Sequence, residues 1–146
     1  MLLTPKTLEV WELIWDLEKF DGSILNLIID DRSNISDDII YYLVNKFISD
    51  RLVNPRIFDA IYRLCINTNN QICISKLFSW AQEFLFNTNY FNFVKALYFW
   101  SKGNFFYAKE NTELAITNDS ENLQYKAFRN TITSETIYLS TRDAQL

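Results

Sequence analysis

The chain has 146 residues, 49% apolar and 16% aromatic, and its 14 Lys+Arg against 18 Asp+Glu leave a net charge of -4. That length suits one domain or a short run of helical repeats, the apolar content excludes wholesale disorder, and the acidic balance excludes the footprint of a nucleic-acid binder. The absence of histidine and the presence of only two glycines remove the commonest general base and metal ligand and leave little for a phosphate-cradling loop.

Met1-Leu2-Leu3-Thr4-Pro5-Lys6 has no basic region followed by an unbroken apolar stretch, so no secretory signal is expected. Thr4-Pro5 reads instead as a capping residue before a proline at the first helical position, which opens a helix over about 5–20. Leu8, Trp11, Leu13, Ile14, Trp15 and Leu17 are expected to form its broad apolar face. Trp11 and Trp15, one turn apart, suit either a helix that caps a stack or a docking or dimer contact. A second helix is expected over about 22–31. Ser36-Asp37-Asp38 then reads as a cap with two carboxylates in the first turn, opening a helix over about 36–51 that buries Ile39, Ile40, Leu43, Val44, Phe47 and Ile48. The carboxylates Asp30, Asp31, Asp37 and Asp38 lack the alternating spacing, central glycine and terminal Glu of a calcium loop and read as solvated helix ends.

Asn54-Pro55 repeats the cap-proline signal and opens a helix over about 55–67, with Phe58, Ile61, Tyr62, Leu64 and Cys65 inward. A helix over about 71–87 follows, with Leu77, Phe78, Ala81 and Phe84 inward. Cys65 and Cys73, the only cysteines, have apolar neighbours, form no CxxC pair and have no histidine to complete a zinc site. They read as buried reduced thiols of a cytoplasmic protein. Further helices are expected over about 89–102 and 105–118, separated by Gly103-Asn104, and over about 120–133 after Ser120-Glu121. Strands over Gln71–Ile74 and Thr131–Leu139 are the weaker alternatives. Residues 134–146 lose the helical pattern and are expected to be a flexible tail. No apolar run approaches the ~20 residues that a bilayer-spanning helix needs.

Paired helices of this length suggest a period of about 34 residues. In Asn89–Asn122, Ala96, Phe99, Gly103, Phe105, Ala108, Ala115 and Asp119-Ser120 fall where a tetratricopeptide repeat has its small residues, aromatics, turn glycine and helix stop. The segment resembles that family. The likeness extends to Pro55–Thr88 through Phe58, Cys65, Ile74, Phe78 and Ala81, and to 21–54 through helix length and apolar pattern alone. Asn92, Lys95 and Ser120 depart from the family pattern. The stretch Asp37–Tyr42, followed by Arg51-Leu52 and Tyr62–Ile66, is similar to the first repeat of the tetratricopeptide chaperones of type III secretion.

The resemblance implies an all-α array of antiparallel helix pairs with an N-terminal capping helix, forming one domain over 1–133. It also implies an inner face carrying Arg56 and Arg63 from one repeat and Tyr90, Phe93, Leu97 and Trp100 from the next. Such a face suits an amphipathic helix or extended peptide of a partner protein, held by a chaperone or assembly subunit. The other reading of those aromatics is core packing, with a terminal helix folded back onto them. Asp59 and Phe93 stand where binders of acidic chaperone tails need Lys and Asn. With no histidine to activate Ser or Cys and no definable pocket of carboxylates, the expectation is a non-enzyme without cofactor, metal, nucleic acid or membrane insertion, and with an oligomerising structural subunit as the alternative.

Overall fold

The computed structural model describes residues 7–18, 23–52, 54–85 and 88–144, the side chains of 88 and 135–144 excepted. The described residues form helices α1 Leu8–Glu18, α2 Ser23–Asp31, α3 Asp37–Ser49, α4 Pro55–Asn67, α5 Gln71–Phe84, α6 Thr88–Ser101, α7 Phe105–Asn118 and α8 Leu123–Ala144, with a 3-10 turn at Arg32–Asn34 and no strand. The chain is all-α, and both segments with strand alternatives are helical. The expected cap at Thr4-Pro5 lies outside the described residues.

The ends of these helices follow from local chemistry. Asn54 Oδ1 accepts from the backbone N–H of Arg56 (3.0 Å) and of Ile57 (3.3 Å), and Pro55 takes the first helical position of α4. Ser36 has the extended backbone of a cap before α3, but its hydroxyl makes no capping bond. Asn70 Oδ1 accepts from Cys73 N at 3.1 Å, and Asn104 Oδ1 from Tyr107 N at 3.3 Å, each closing the first turn of the following helix. Three helices end in the same way. Leu52, Asn70 and Asn104 return their N–H groups to the carbonyls of Phe47, Cys65 and Phe99. The residue before each, Arg51 (φ 54°), Asn69 (φ 54°) and Gly103 (φ 77°), takes the left-handed conformation that this ending requires.

Two compact units result, Met1–Leu77 and Phe78–Leu146, with the boundary inside α5.

In the first unit α1 packs on α2 and α3, and α4 packs on α2 and α3. Ile24, Ile28, Ile40, Leu43, Phe47, Ile57 and Ile61 fill its centre, and Phe58 stacks on Tyr62 with ring centroids 5.3 Å apart. Only part of the apolar face expected on α1 is buried. Trp11 and Trp15 are inside, whereas Leu13 and Leu17 are 67% and 77% exposed. The cause is rotational. Trp15 Nε1 donates to Asp50 Oδ2 at 2.7 Å, which sets α1 with its indole stripe inward and the opposite stripe outward. Two buried indoles remove roughly 400 Å² from water, about 10 kcal/mol before ordering entropy, so this narrow stripe suffices to seat the helix. The docking alternative for Trp11 and Trp15 is therefore excluded, since both rings are buried within this unit.

In the second unit α7 packs on α6 and α8. Ala96, Ala108 and Ala115 are fully buried, and their small side chains allow α6 and α7 to approach closely. Phe78, on the last part of α5, stacks on Tyr98 at 4.1 Å and on Phe91 at 5.9 Å. α8 starts at Leu123 after Asn122, whose Oδ1 accepts from Tyr125 N at 3.1 Å, and not at Ser120-Glu121. It continues through Ala144. Thr131 and Thr133 are β-branched, which is what gave 131–139 its strand alternative, but their hydroxyls bond back to the carbonyls of Ala127 and Arg129, and Ile132 between them is fully buried.

Candidate partner-binding surfaces

The six residues expected on an inner face fall on different units. Arg56 and Arg63 lie on α4 in the first. Arg56 is exposed. Arg63 Nε donates to Asp59 Oδ2 at 2.8 Å, an i, i+4 pair about one-third exposed on each side. A pair that exposed contributes little to stability, so its role in holding the guanidinium in one orientation outweighs its energy. Tyr90, Phe93, Leu97 and Trp100 lie on α6 in the second unit.

Tyr90 and Trp100 are part-exposed, whereas Phe93 and Leu97 are buried. The cover over Phe93 is α8. Tyr125 lies 4.6 Å from its ring and Phe128 meets it edge-on at 5.6 Å, while Phe128 also meets Trp100 edge-on at 5.8 Å. The chain's last helix thus occupies the middle of the aromatic wall. Trp100 Nε1 is shut from solvent and has no hydrogen-bond acceptor among the described residues.

Other apolar side chains are more open. On α1, Val10, Leu13 and Leu17 form an exposed stripe at helical spacing, with exposed Glu9, Glu12 and Asp16 beside it. Phe106 (75% exposed) and Leu114 on α7, and Leu123 at the start of α8, are similarly open in the second unit. The sequence could not single out Leu13 and Leu17, because both belong to the apolar pattern that reads as the buried face of α1.

Charge gathers at one place in the first unit. The Tyr42 hydroxyl is pushed above the ordinary phenol range, first by burial and then by the carboxylates of Asp16, Glu12 and Asp50. Asp37 and Asp38 occupy the exposed first turn of α3, and Asp30 and Asp31 the end of α2. Among the described residues no group of three or more cysteine, aspartate or glutamate side chains is placed to hold a metal ion, and no helix is long and apolar enough to cross a membrane.

One further regularity bears on function. α3, α5 and α7 begin at Asp37, Gln71 and Phe105, a step of 34 residues each time. The same step relates Ser36, Asn70 and Asn104 before them. It also relates two sets of fully buried residues within them: Ile40, Ile74 and Ala108, then Phe47, Ala81 and Ala115. No family model, curated protein or solved structure matches the chain.

Proposed function

We propose that the chain is a non-catalytic protein–protein interaction module, a tetratricopeptide-like array of antiparallel helix pairs that holds a helix or extended peptide of a partner, as a chaperone or assembly subunit does. The observation that carries this is the 34-residue step from α3 to α5 to α7, in their starts and in two sets of fully buried positions. Arrays of that period serve as extended binding surfaces, because each helix pair has a face that its neighbours leave open. Partner contacts fall to Arg56 and Arg63 on the first unit and to Tyr90 and Trp100 on the second. Phe93 and Leu97 hold α6 in place from beneath. The guanidinium groups orient partner carboxylates or carbonyls, and the two rings cover partner apolar side chains. No covalent step, metal or cofactor belongs to this proposal.

A displayed random-peptide library selected on the purified chain tests it. The expected result is a converged peptide family that binds in the micromolar range and loses about tenfold or more in affinity on Arg56→Glu or Tyr90→Ala, with the circular dichroism spectrum unchanged. Selection that fails to converge, or peptides indifferent to both substitutions, would overturn it.

A second reading, self-association as a structural subunit, is favoured by the exposed stripe of Val10, Leu13 and Leu17. Sedimentation over a hundredfold concentration range separates the two: a monomer throughout supports the peptide holder, a concentration-dependent oligomer the subunit.

A further inference from the structure

One face of α1 is left over once the helix is seated. Trp11 and Trp15 are buried, while Val10, Leu13 and Leu17 are exposed. At about 100° per residue these three apolar side chains fall within a sector of about 60°, and Glu9, Glu12 and Asp16 fill a sector of about 60° beside it. The three carboxylate residues are exposed as well. Every charged residue of α1, Glu9, Glu12, Asp16 and Glu18, is acidic. Among the described residues, Glu9, Glu12 and Asp16 make no ion pair. The row they form lies on the side of α1 toward α3. Burial raises the pKa of the Tyr42 hydroxyl on α3 first, but Asp16, Glu12 and Asp50 then add to it, so the negative field of α1 runs on to the end of α3.

We propose that this face of α1 docks a basic amphipathic helix of a partner protein, whose apolar side chains lie along Val10, Leu13 and Leu17 and whose Lys or Arg side chains pair with Glu9, Glu12 and Asp16. From Val10 to Leu17 the stripe rises about 10 Å, two helical turns, which matches apolar residues at i, i+3 or i+4, and i+7 on the partner. The charges select among occupants. A second copy that met the face through its own α1 would bring apolar side chains but no cation, and the carboxylates beside the stripe would lose water without gaining a counter-charge. A partner with cations along one flank covers the stripe and neutralises the row together. In such a contact the apolar side chains hold the complex, and the charges fix which helix binds and which way round it lies. The surface shares no residue with the set Arg56, Arg63, Tyr90 and Trp100, so the two assignments stand or fall separately.

The probe is a labelled synthetic helix of about fifteen residues with Leu at i, i+3, i+4 and i+7 and Lys along one flank, titrated with the full chain and read by fluorescence anisotropy. Its counterpart carries Glu in place of every Lys. The Lys helix is expected to bind in the micromolar range and the Glu helix at least about tenfold more weakly. Leu13→Ala with Leu17→Ala is expected to weaken the Lys helix by about tenfold. Glu12→Lys with Asp16→Lys is expected to reverse the preference, so that the Glu helix binds more tightly. All four positions are exposed, so the circular dichroism spectrum of each variant stays that of the parent. Absence of binding by the Lys helix, equal affinity for the two helices, a preference that survives the charge reversal, or binding indifferent to the two alanines would overturn the proposal. So would a parent chain that sediments as a dimer and becomes a monomer on Leu13→Ala with Leu17→Ala, because the face would then belong to a second copy.

Discussion

Replacing Phe93 by alanine decides whether the aromatic wall of α6 is packed or open. The ring is 1% exposed and is held by Tyr125 and Phe128 of α8. A large-to-small change at such a site costs about 3–5 kcal/mol, the sum of lost transfer energy and the cavity left behind. Domain stabilities run to about 5–15 kcal/mol, so the loss is a large share of whatever holds the second unit together. A destabilisation of about 4 kcal/mol multiplies the population of the open form by roughly a thousand. Trp100→Ala is milder, because that ring is part-exposed and an indole N–H buried without an acceptor, itself costing about 1–3 kcal/mol, goes with it. Hydrogen exchange read by mass spectrometry on α6, α7 and α8 peptides is the assay. Phe93→Ala is expected to lower protection there by about a thousandfold and Trp100→Ala by about thirtyfold or less. Protection in Phe93→Ala within about threefold of the parent would refute the packing argument and return Phe93 to the partner-facing set.

Three other outcomes follow from single observations. Arg51 holds a left-handed backbone at the end of α3, so Arg51→Gly is expected to stabilise the chain by about 1 kcal/mol, read from the urea midpoint, whereas Gly103→Ala at the equivalent place after α6 destabilises by a similar amount through backbone strain alone, with no atom within 4 Å of the added Cβ. Tyr42 is harder to ionise folded than unfolded, so its contribution is fully present below about pH 10 and is lost as pH rises through the higher folded value; Tyr42→Phe is expected to flatten the fall in melting temperature above pH 10, and an unchanged alkaline limb would count against the carboxylate cluster around its hydroxyl. Leu13→Lys with Leu17→Lys is expected to leave the melting temperature within a few degrees, because both side chains already face solvent, and to abolish any concentration-dependent association; a melting temperature lowered by ten degrees or so would show that they are covered.

The helices were legible where the chemistry that starts and stops them is local. Asn54-Pro55 and Gly103-Asn104 do at the backbone what their types suggest, because a cap needs only one acceptor and a left-handed corner needs only a residue that tolerates it. Two other corners were hidden because Arg51 and Asn69 hold them instead of glycine. The start of α8 was expected at Ser120-Glu121, and the choice of Asn122 instead goes with burial of Tyr125 and Ile132, which local sequence does not encode. The face of α1 was misread because Leu13 and Leu17 satisfy the same periodicity as Trp11 and Trp15. Only the bond from Trp15 to Asp50, far along the chain, selects between the two stripes.

The candidate site divides along the same line. The 34-residue step survives in the helix starts and in two sets of fully buried positions, although one of those sets accepts Phe47, Ala81 and Ala115 alike. A phenylalanine and an alanine at equivalent places cannot have identical neighbours, so the repeat fixes where each helix begins more strictly than how each pair packs. That is why a period could be read from a sequence whose side chains barely repeat. It is also why the inner face could not be. Whether Phe93 meets a partner or the chain's own Tyr125 depends on where α8 lies, and α8 runs through Thr131-Ile132-Thr133, residues whose intrinsic preference argues against the helix they form. The fully buried Ile132, and Tyr125 and Phe128 that cover Phe93, lie on this one helix, so the position of α8 decides the state of the aromatic wall.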